Sequence, residues 1–327
     1  MPFRAEFSCL WCGRPHTVRD RDDLEGWAQL CPDCLGRAGD NPFLRFRLRD
    51  AIAERAGASG SSPAAARVDT ADDAGGTTPA GDVDTAPDAV AAATAAEAAP
   101  DADADAAMLA YYEARAPEYD DWYLRRGRYA RGPIDDMAWQ VDLDAATRWL
   151  DEVPIGGDIV ELAAGTGWWS PLLASKGRLW CYDGAPAPLE RARERLVAHG
   201  LRAHLHVRDA WAEPDAVADV LFTGFWLSHV PRGRLGAFFR IAHRWLRPGG
   251  RFVFIDSRFD PASSAVDHVP RADQETMVRR LDDGRTFTIP KVYYEPAELE
   301  AALRAAGFST ATVGTTDRFF LLGSATS

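Results

Sequence analysis

Three carboxylates follow three short apolar segments in the second half of the chain. Glu161 stands before a Gly165-Thr-Gly167 turn, and Asp183 and Asp209 follow the next two apolar segments. Glycines at such a turn let a ligand approach the backbone closely, and an acid after the second strand suits hydrogen bonds from ribose hydroxyls. Because Glu161 would repel a pyrophosphate and attract a cation, the pattern favours a ribose-containing ligand that carries positive charge.

Each carboxylate also has a structural alternative. Glu161 and Asp183 are compatible with capping or loop roles, and Asp209 is compatible with a plain helix N-cap. A dinucleotide fingerprint would place a third glycine at position 170, where this chain has Ser170. The Gly-x-Gly turn alone is a weak signal, but together with acids after three successive strands it makes a ligand site the stronger interpretation.

Four of the five cysteines form two pairs near the N-terminus, Cys9 with Cys12 and Cys31 with Cys34. Two Cys-x-x-Cys pairs at this separation are typical of a tetrahedral structural zinc site, and the segment resembles a zinc ribbon. Two disulfides or a redox pair are the alternatives. Disulfides would be favoured by a secretion signal and a redox pair by a thioredoxin-like βαβ pattern, and neither feature is found in the sequence. We therefore expect Zn²⁺ on these four sulfurs.

The apolar pattern around the three carboxylates predicts alternating strands and helices. Parallel strands are expected at 158–163, 178–182, 203–207, 219–223 and 251–255, and a closing hairpin at 309–313 and 318–322. Helices are expected at 108–118, 135–151, 168–176, 187–199, 211–217, after Pro231 and at 296–306, with an irregular stretch at 257–293. Such alternation predicts an α/β fold with a doubly wound, mainly parallel seven-stranded sheet.

A low-complexity segment separates two parts of the chain. Residues 57–107 contain no aromatic residue, no Leu and no Ile, and they carry ten acidic residues and one basic residue. Such a segment cannot bury enough apolar surface to fold. We therefore predict a zinc-ribbon-like domain with a trailing helix at 1–56, a disordered acidic linker at 57–107 and an α/β domain at 108–327.

Charge and hydropathy limit the classes of function. The net charge of −12 disfavours nucleic acid as a partner of the whole protein, because phosphate contacts need Lys and Arg. The apolar runs are too short to span a membrane, and the first residues lack the apolar core of a signal peptide. We therefore expect a cytoplasmic protein with no membrane span.

Residues 158–323 resemble the class I S-adenosylmethionine (SAM)-dependent methyltransferases, over about half of the chain. The matching stretches are Asp158–Gly167, Cys181–Asp183, Arg208–Ala210, Thr223–Pro231 and Leu246–Phe254. The closing hairpin stands where that family inserts its antiparallel seventh strand. Position 163, which is often glycine in the family, is Ala163 here, so a slightly reshaped loop is expected.

The resemblance implies a SAM site at the carboxyl ends of the strands. Asp183 would hold the ribose, Asp209 would face the adenine side, and the backbone at Thr223 and Gly224 would meet the methionine ammonium group. Tyr119, in a stretch similar to the helical cover of small-molecule members, would close over the cofactor. The implied cofactor-binding residues are Tyr119, Glu161, Ala163, Gly165, Gly167, Asp183, Asp209, Ala210, Thr223 and Gly224.

His229 is the candidate catalytic base. Methyl transfer from a sulfonium is an in-line displacement, so the protein aligns the reactants, excludes water and removes a proton from the acceptor. Histidine suits the last task because its pKa lies near neutral pH. His229 follows the fourth strand, at the mouth of the expected cleft. A structural histidine at a helix N-terminus is the alternative.

The acceptor is predicted to be a small, apolar or aromatic organic molecule. The fourth-strand region lacks the Asn/Asp-Pro-Pro-aromatic motif associated with exocyclic amines of bases, and it lacks a Pro-Cys pair for attack on a pyrimidine carbon. Both absences lower the expectation of a nucleic-acid substrate. The alternatives are an RNA or protein methyltransferase guided by a zinc ribbon that binds a protein partner, and a nucleotide-binding oxidoreductase or non-catalytic scaffold.

Overall fold

The computed structural model of the chain describes residues 5–8, 15–18 and 102–327. Near the N-terminus, strands β1 (Ala5–Ser8) and β2 (Pro15–Val18) pair in antiparallel fashion. Cys9, Cys12, Cys31 and Cys34 lie outside the described residues, as does most of the predicted linker.

The main unit is built on a seven-stranded sheet. The remaining strands are β3 (Gly157–Leu162), β4 (Gly177–Asp183), β5 (His204–Val207), β6 (Ala218–Gly224), β7 (Leu246–Ser257), β8 (Thr276–Arg280), β9 (Thr286–Pro290), β10 (Thr310–Thr315) and β11 (Phe320–Thr326). The sheet order is β10-β11-β7-β6-β3-β4-β5. Strands β3 to β7 pair in parallel, whereas β11 lies antiparallel to both β7 and β10. The predicted α/β fold with an inserted antiparallel last strand is therefore confirmed.

Helices cover both faces of this sheet. They are α1 (Ala102–Arg115), α2 (Asp121–Leu124), α3 (Pro133–Glu152), α4 (Ser170–Lys176), α5 (Pro186–Ala198), α6 (Leu235–Arg244) and α7 (Pro296–Ala305). Successive residues of β7 belong to opposite sides: Phe252 and Phe254 pack in a cluster with α6 and α7, while Val253 and Ile255 pack in a cluster with α3 and α4. This alternation follows from the two-residue period of a strand, and it makes the sheet the middle layer of three.

The first long helix begins inside the segment predicted to be a linker. Helix α1 begins at Ala102, before the boundary expected at Met108. Asp105 pairs with Arg234 at 2.8 Å, and Met108 and Tyr111 are buried against the main core. The last residues of the acidic segment thus form an ion pair and continue into a helix that packs against the core. The composition of the segment alone does not reveal either feature.

Two local predictions differ from the structure. The helix expected at 211–217 is absent, because the Asp209 carboxylate accepts from Trp211 N at 2.9 Å in a turn and Pro214 follows. The stretch 257–293, expected to be irregular, contains the β8–β9 hairpin. In β8 the buried positions are Met277 and Arg279, whereas Val278 is exposed, so the hydropathy alternation that would predict the strand is inverted.

None of the helices in the described part of the chain has the length and hydropathy needed to cross a membrane.

Candidate active site

A cleft of about 570 Å³ opens at the carboxyl ends of the parallel strands, beneath helix α1. This is the edge at which open α/β sheets bind ligands. Most of the residues predicted to contact a cofactor line it, together with the candidate base: Tyr119, Ala163, Gly165, Asp183, Asp209, Ala210, Gly224 and His229. The sequence did not single out Met108, Leu109 and Tyr112 of α1, which form part of the cover.

Asp183 is held in a fixed orientation at the end of β4. Its Oδ2 accepts from Gly165 N and its Oδ1 from Ala185 N, each at 2.8 Å. Burial raises the pKa of Asp183 to about 6, against the lowering effect of these two backbone donors. Each carboxylate oxygen retains a lone pair, so the group can accept further hydrogen bonds from a ligand in the cleft.

Three of the predicted cofactor-binding residues do not line the cleft. Glu161 is buried in β3, where its Oε2 accepts from Ser170 Oγ at 2.5 Å, and burial raises its pKa to about 7. Thr223 is buried in β6, and its Oγ1 has no hydrogen-bond partner among the described residues. A Cβ on Gly167 would lie 2.7 Å from the Cβ of Ala192, so this glycine packs against α5.

The glycine turn adopts left-handed backbone conformations. The φ angles are 52° at Ala163, 56° at Gly165 and 69° at Gly167. Phe225, which follows β6 across the cleft, also has a positive φ of 59°. Left-handed φ is uncommon for residues with a side chain, and such strain concentrates at functional sites. Both Ala163 and Phe225 line the cleft.

His229 has both ring nitrogens engaged. Nδ1 lies 2.7 Å from the carbonyl oxygen of Pro290, which can only accept, so Nδ1 carries the proton and donates. Nε2 therefore accepts from the hydroxyl of Tyr112, at 2.6 Å. Burial, and then the charge of Lys291, lower the pKa of His229 well below its ordinary value. The imidazole is thus neutral, with its basic nitrogen turned to a tyrosine of α1.

A second cavity of about 420 Å³ adjoins the first. The two share Tyr112, Tyr119, Phe225 and His229. The rest of its lining is mostly charged or hydroxyl-bearing: Arg115, Trp122, Ser257, Ser263, Ser264, Arg279 and Lys291. The basic residues come from α1, from β8 and from the segment after β9, which the sequence did not connect to the site.

Among residues 5–8, 15–18 and 102–327, no group of three or more His, Cys, Asp and Glu side chains is arranged to hold a metal ion. The remaining cysteine, Cys181, is buried in β4, and burial raises the pKa of its thiol. It donates toward Glu161 and carries no exposed thiolate.

Comparisons with known proteins agree with the fold and the cleft. A family model described as a methyltransferase domain matches residues 159–250. No curated protein sequence matches the chain. Among solved structures, DhpI in complex with SAH is 31% identical, covers 68% of this chain and 96% of its own, and has a TM-score of 0.54. A DhpI-SAM-HEP complex is 30% identical, with 68% and 97% coverage and a TM-score of 0.56.

A more distant likeness concerns the fold alone. The PH0226 protein from Pyrococcus horikoshii OT3 is 16% identical, covers 64% of this chain and 98% of its own, and has a TM-score of 0.50. The identity to DhpI extends over nearly all of that protein, and the cleft lies where the resemblance implied a SAM site. The chain therefore belongs to the class I SAM-dependent methyltransferases.

Proposed function

We propose that this methyltransferase transfers a methyl group from SAM to a small organic acceptor that binds in the second cavity. The observation that carries the proposal is the cavity itself, about 420 Å³ in volume and sharing Tyr112, Tyr119, Phe225 and His229 with the cleft beside it. Concave sites at which polar groups converge are the usual sites of small molecules. An acceptor bound there would face a methyl group held in the first cleft.

The residues of the first cleft fit SAM. Asp183, oriented by two backbone donors, is suited to accept from the ribose hydroxyls, and Asp209, which also lines the cleft, would face the adenine side. The turn at Ala163 and Gly165, with Gly224 opposite, exposes backbone for the methionine part. The carboxylates in and beside the cleft suit a cationic ligand. When bound, SAM supplies a methyl carbon whose bond to sulfur breaks with the electron pair left on sulfur.

Three residues would support the cofactor cleft without lining it: Glu161, Gly167 and Thr223. Glu161 holds Ser170 at the start of α4, and Gly167 lets the turn pack against α5. The unpartnered Oγ1 of Thr223 is a buried polar atom of the kind that needs a partner, which a bound group or water would supply. These residues thus shape the turn that the cofactor contacts.

His229 would serve as the base, with Tyr112 between it and the acceptor. The acceptor's proton would pass to the Tyr112 oxygen while the Tyr112 proton passes to Nε2 of His229, along the existing 2.6 Å hydrogen bond. Burial raises the pKa of Tyr112 well above its ordinary value, so Tyr112 relays a proton rather than acting as a standing tyrosinate. The Pro290 carbonyl, which accepts from Nδ1, keeps the ring in the required tautomer.

The lining of the second cavity favours a polar acceptor over the apolar or aromatic one expected from the sequence. Trp122, Tyr119 and Phe225 supply aromatic surface for a short organic body. The remaining lining residues are polar or charged, and burying an apolar ligand against them would leave their donors without partners. An aromatic or aliphatic body that carries polar groups therefore satisfies the cavity best.

In addition to methyl transfer, the N-terminal region is proposed to bind zinc. Strands β1 and β2 flank the first Cys-x-x-Cys pair and run antiparallel, the arrangement in which a knuckle turn directs two sulfurs to one ion. We propose that Cys9, Cys12, Cys31 and Cys34 hold a structural Zn²⁺. A ribbon of this kind would offer a surface for a protein partner, while the chemistry is carried by the methyltransferase domain.

A labelled-methyl assay tests the small-molecule proposal. The full-length chain is incubated with a low concentration of methyl-labelled SAM and with either the ultrafiltrate or the macromolecular fraction of a cell extract. Asp183→Ala, whose weakened binding leaves it largely without SAM at that concentration, serves as the control. We expect label to appear in the ultrafiltrate with the wild type alone. Label found only in nuclease- or protease-sensitive material would overturn the proposal in favour of an RNA or protein acceptor.

A further inference from the structure

Three basic side chains line the second cavity while almost fully buried. Arg115 is 6%, Arg279 8% and Lys291 6% exposed. A buried cation loses several kcal/mol of hydration, so such groups are normally matched by a carboxylate at contact distance. In the part of the chain that the structure describes, none of the three makes an ion pair with a carboxylate within 4.0 Å. No carboxylate among the described residues belongs to the lining of this cavity.

The neighbours of these cations orient them without neutralising them. Arg115 lies against tyrosine rings, with its guanidinium carbon 4.5 Å from the ring centre of Tyr119. Arg279 donates from Nη1 to Nδ1 of His268 at 3.1 Å, and burial lowers the pKa of His268 to about 3, so this partner is a neutral acceptor. The Nε–H groups of Arg115 and Arg279 are buried, and no residue that the structure describes accepts a hydrogen bond from them.

Lys291 is the third basic residue of the cavity lining. Its Nζ donates to Ser228 Oγ at 2.8 Å and to Ser257 Oγ at 3.2 Å. The carboxylate that acts on it is Asp256, which is not part of the cavity lining and accepts from Ser228 N and Ser257 N. Asp256 thus acts on Lys291, and Glu118 and Asp121 act on Arg115, but none of these three acids is part of the cavity lining.

We infer that the acceptor carries an oxyanion, such as a carboxylate, phosphoryl or sulfonyl group, and that Arg115, Arg279 and Lys291 bind it. The inference rests on the proposed small-molecule function. An oxyanion offers several acceptor lone pairs, which match the two unpartnered guanidinium N–H groups and the ammonium. The hydroxyls of Ser263 and Ser264 in the same lining add neutral donors.

Binding of the anion would also prepare the base. Burial lowers the pKa of Lys291 to about 7, Asp256 opposes that effect, and Arg279 and Arg115 add to it. Burial is the largest effect that disfavours a proton on His229. The same three cations add to it, and Lys291 contributes most among them. A negative charge placed among them would favour the protonated forms of both Lys291 and His229. The acceptor's own charge would thus help His229 take up the proton.

Anion binding is tested directly on the full chain saturated with SAH. Inorganic phosphate, sulfate and acetate are titrated separately by calorimetry, with chloride at equal ionic strength as the reference. We expect at least one of the three to bind, and Arg279→Gln or Lys291→Gln to weaken that binding about tenfold or more. Arg148→Gln, which removes the same charge from an exposed position of α3, should leave binding unchanged. No binding above chloride, or equal loss in Arg148→Gln, would overturn the inference.

The acceptor's charge is tested separately from the existence of a small-molecule acceptor. The extract ultrafiltrate is passed over an anion-exchange resin before the labelled-methyl assay, and the retained and unretained fractions are assayed in parallel. Acceptor activity in the retained fraction supports the oxyanion. Activity confined to the unretained fraction would overturn the oxyanion and leave the small-molecule function standing. Label confined to macromolecules would overturn both.

Discussion

The hydroxyl of Tyr112 lies 2.6 Å from Nε2 of His229, although the two residues are separated by 117 positions in the chain. The contact joins the covering helix α1 to the short 3-10 helix Leu227–His229 that follows β6, and it lies where the two cavities meet. Because Nδ1 of His229 donates to Pro290, the Nε2 lone pair is the basic site of the ring. The hydrogen bond therefore defines one direction for proton movement, from the cavity through Tyr112 to His229.

Removing either group should slow methyl transfer without weakening cofactor binding. We expect His229→Ala to lower kcat by about 10²–10⁴, and Tyr112→Phe, which keeps the ring, by about tenfold or more. The SAM dissociation constant should stay within a few-fold in both variants, because proton removal affects the transition state rather than cofactor binding. Turnover, calorimetric affinity and melting temperature are measured together. If turnover falls by less than about fivefold in a stably folded His229→Ala variant, His229 has a structural role and is not the base.

SAM affinity should fall as the pH is lowered through about 6. The pKa of Asp183 is raised to about 6 by burial, and ribose hydroxyls would donate to its charged form. Below that pH the carboxyl group must release a proton before binding, so affinity should drop by up to about tenfold per pH unit. Asp183→Asn should abolish this dependence, and Asp183→Ala should weaken binding by about ten- to a hundredfold at pH 7.

Glu161 offers a matched control for the same measurement. Burial raises its pKa to about 7, yet it does not line the cleft. Glu161→Gln should therefore retain the fall in affinity near pH 6. If the dependence disappears in Glu161→Gln and persists in Asp183→Asn, the titrating group is Glu161, and the ribose assignment of Asp183 is contradicted.

The parts of the site that the sequence predicted are those encoded within single strand–turn–helix units. Three of these residues, Asp183, Gly165 and Asp209, end or follow a strand that is predicted by a local apolar pattern. Parallel strands then bring their carboxyl ends to one edge of the sheet. The mainly parallel sheet follows from the alternation of strands and helices in the same pattern. These features needed no knowledge of long-range packing.

The basic cavity could not be predicted in the same way. Arg115, Arg279 and Lys291 come from three separate elements, and only the folded chain brings them together. Arg279 occupies an inward position of β8, where a charged residue conceals the strand from hydropathy analysis. Arg115 ends a helix whose start lies in the acidic segment. These departures from local pattern occur at the residues that we propose bind the acceptor, and buried charges of this kind are often found at functional sites.

Purified, reduced and tag-free protein should contain about one zinc per chain if the four N-terminal cysteines form a site. Cys9→Ser should remove the metal, because a structural tetrahedral site needs all four ligands. The SAM affinity of this variant should be nearly unchanged, since a predicted linker separates residues 1–56 from the methyltransferase domain. Elemental analysis and calorimetry provide both readouts. Absence of zinc from the wild type, or a parallel loss of SAM affinity, would contradict this arrangement.

Gly167 should be among the least replaceable residues of the cofactor turn. Its φ of 69° is left-handed, and an added Cβ would lie 2.7 Å from the Cβ and 2.9 Å from the Cα of Ala192 in α5. The helix backbone cannot give way as a flexible side chain would, so either the turn or α5 must move. We expect Gly167→Ala to destabilise the domain by about 2 kcal/mol or more, from backbone strain and overpacking together.

Gly314 provides the matched comparison, because it lies in β10 and a Cβ added there meets nothing within 4 Å. Gly314→Ala should melt close to the wild type, whereas Gly167→Ala should melt lower by about 5 °C or more. Gly167→Ala should also bind SAM more weakly, because a displaced turn shifts the Gly165 N–H that orients Asp183. Equal melting temperatures for the two variants would show that the turn adapts to a side chain, and the close packing on α5 would then have no part in holding the cofactor site.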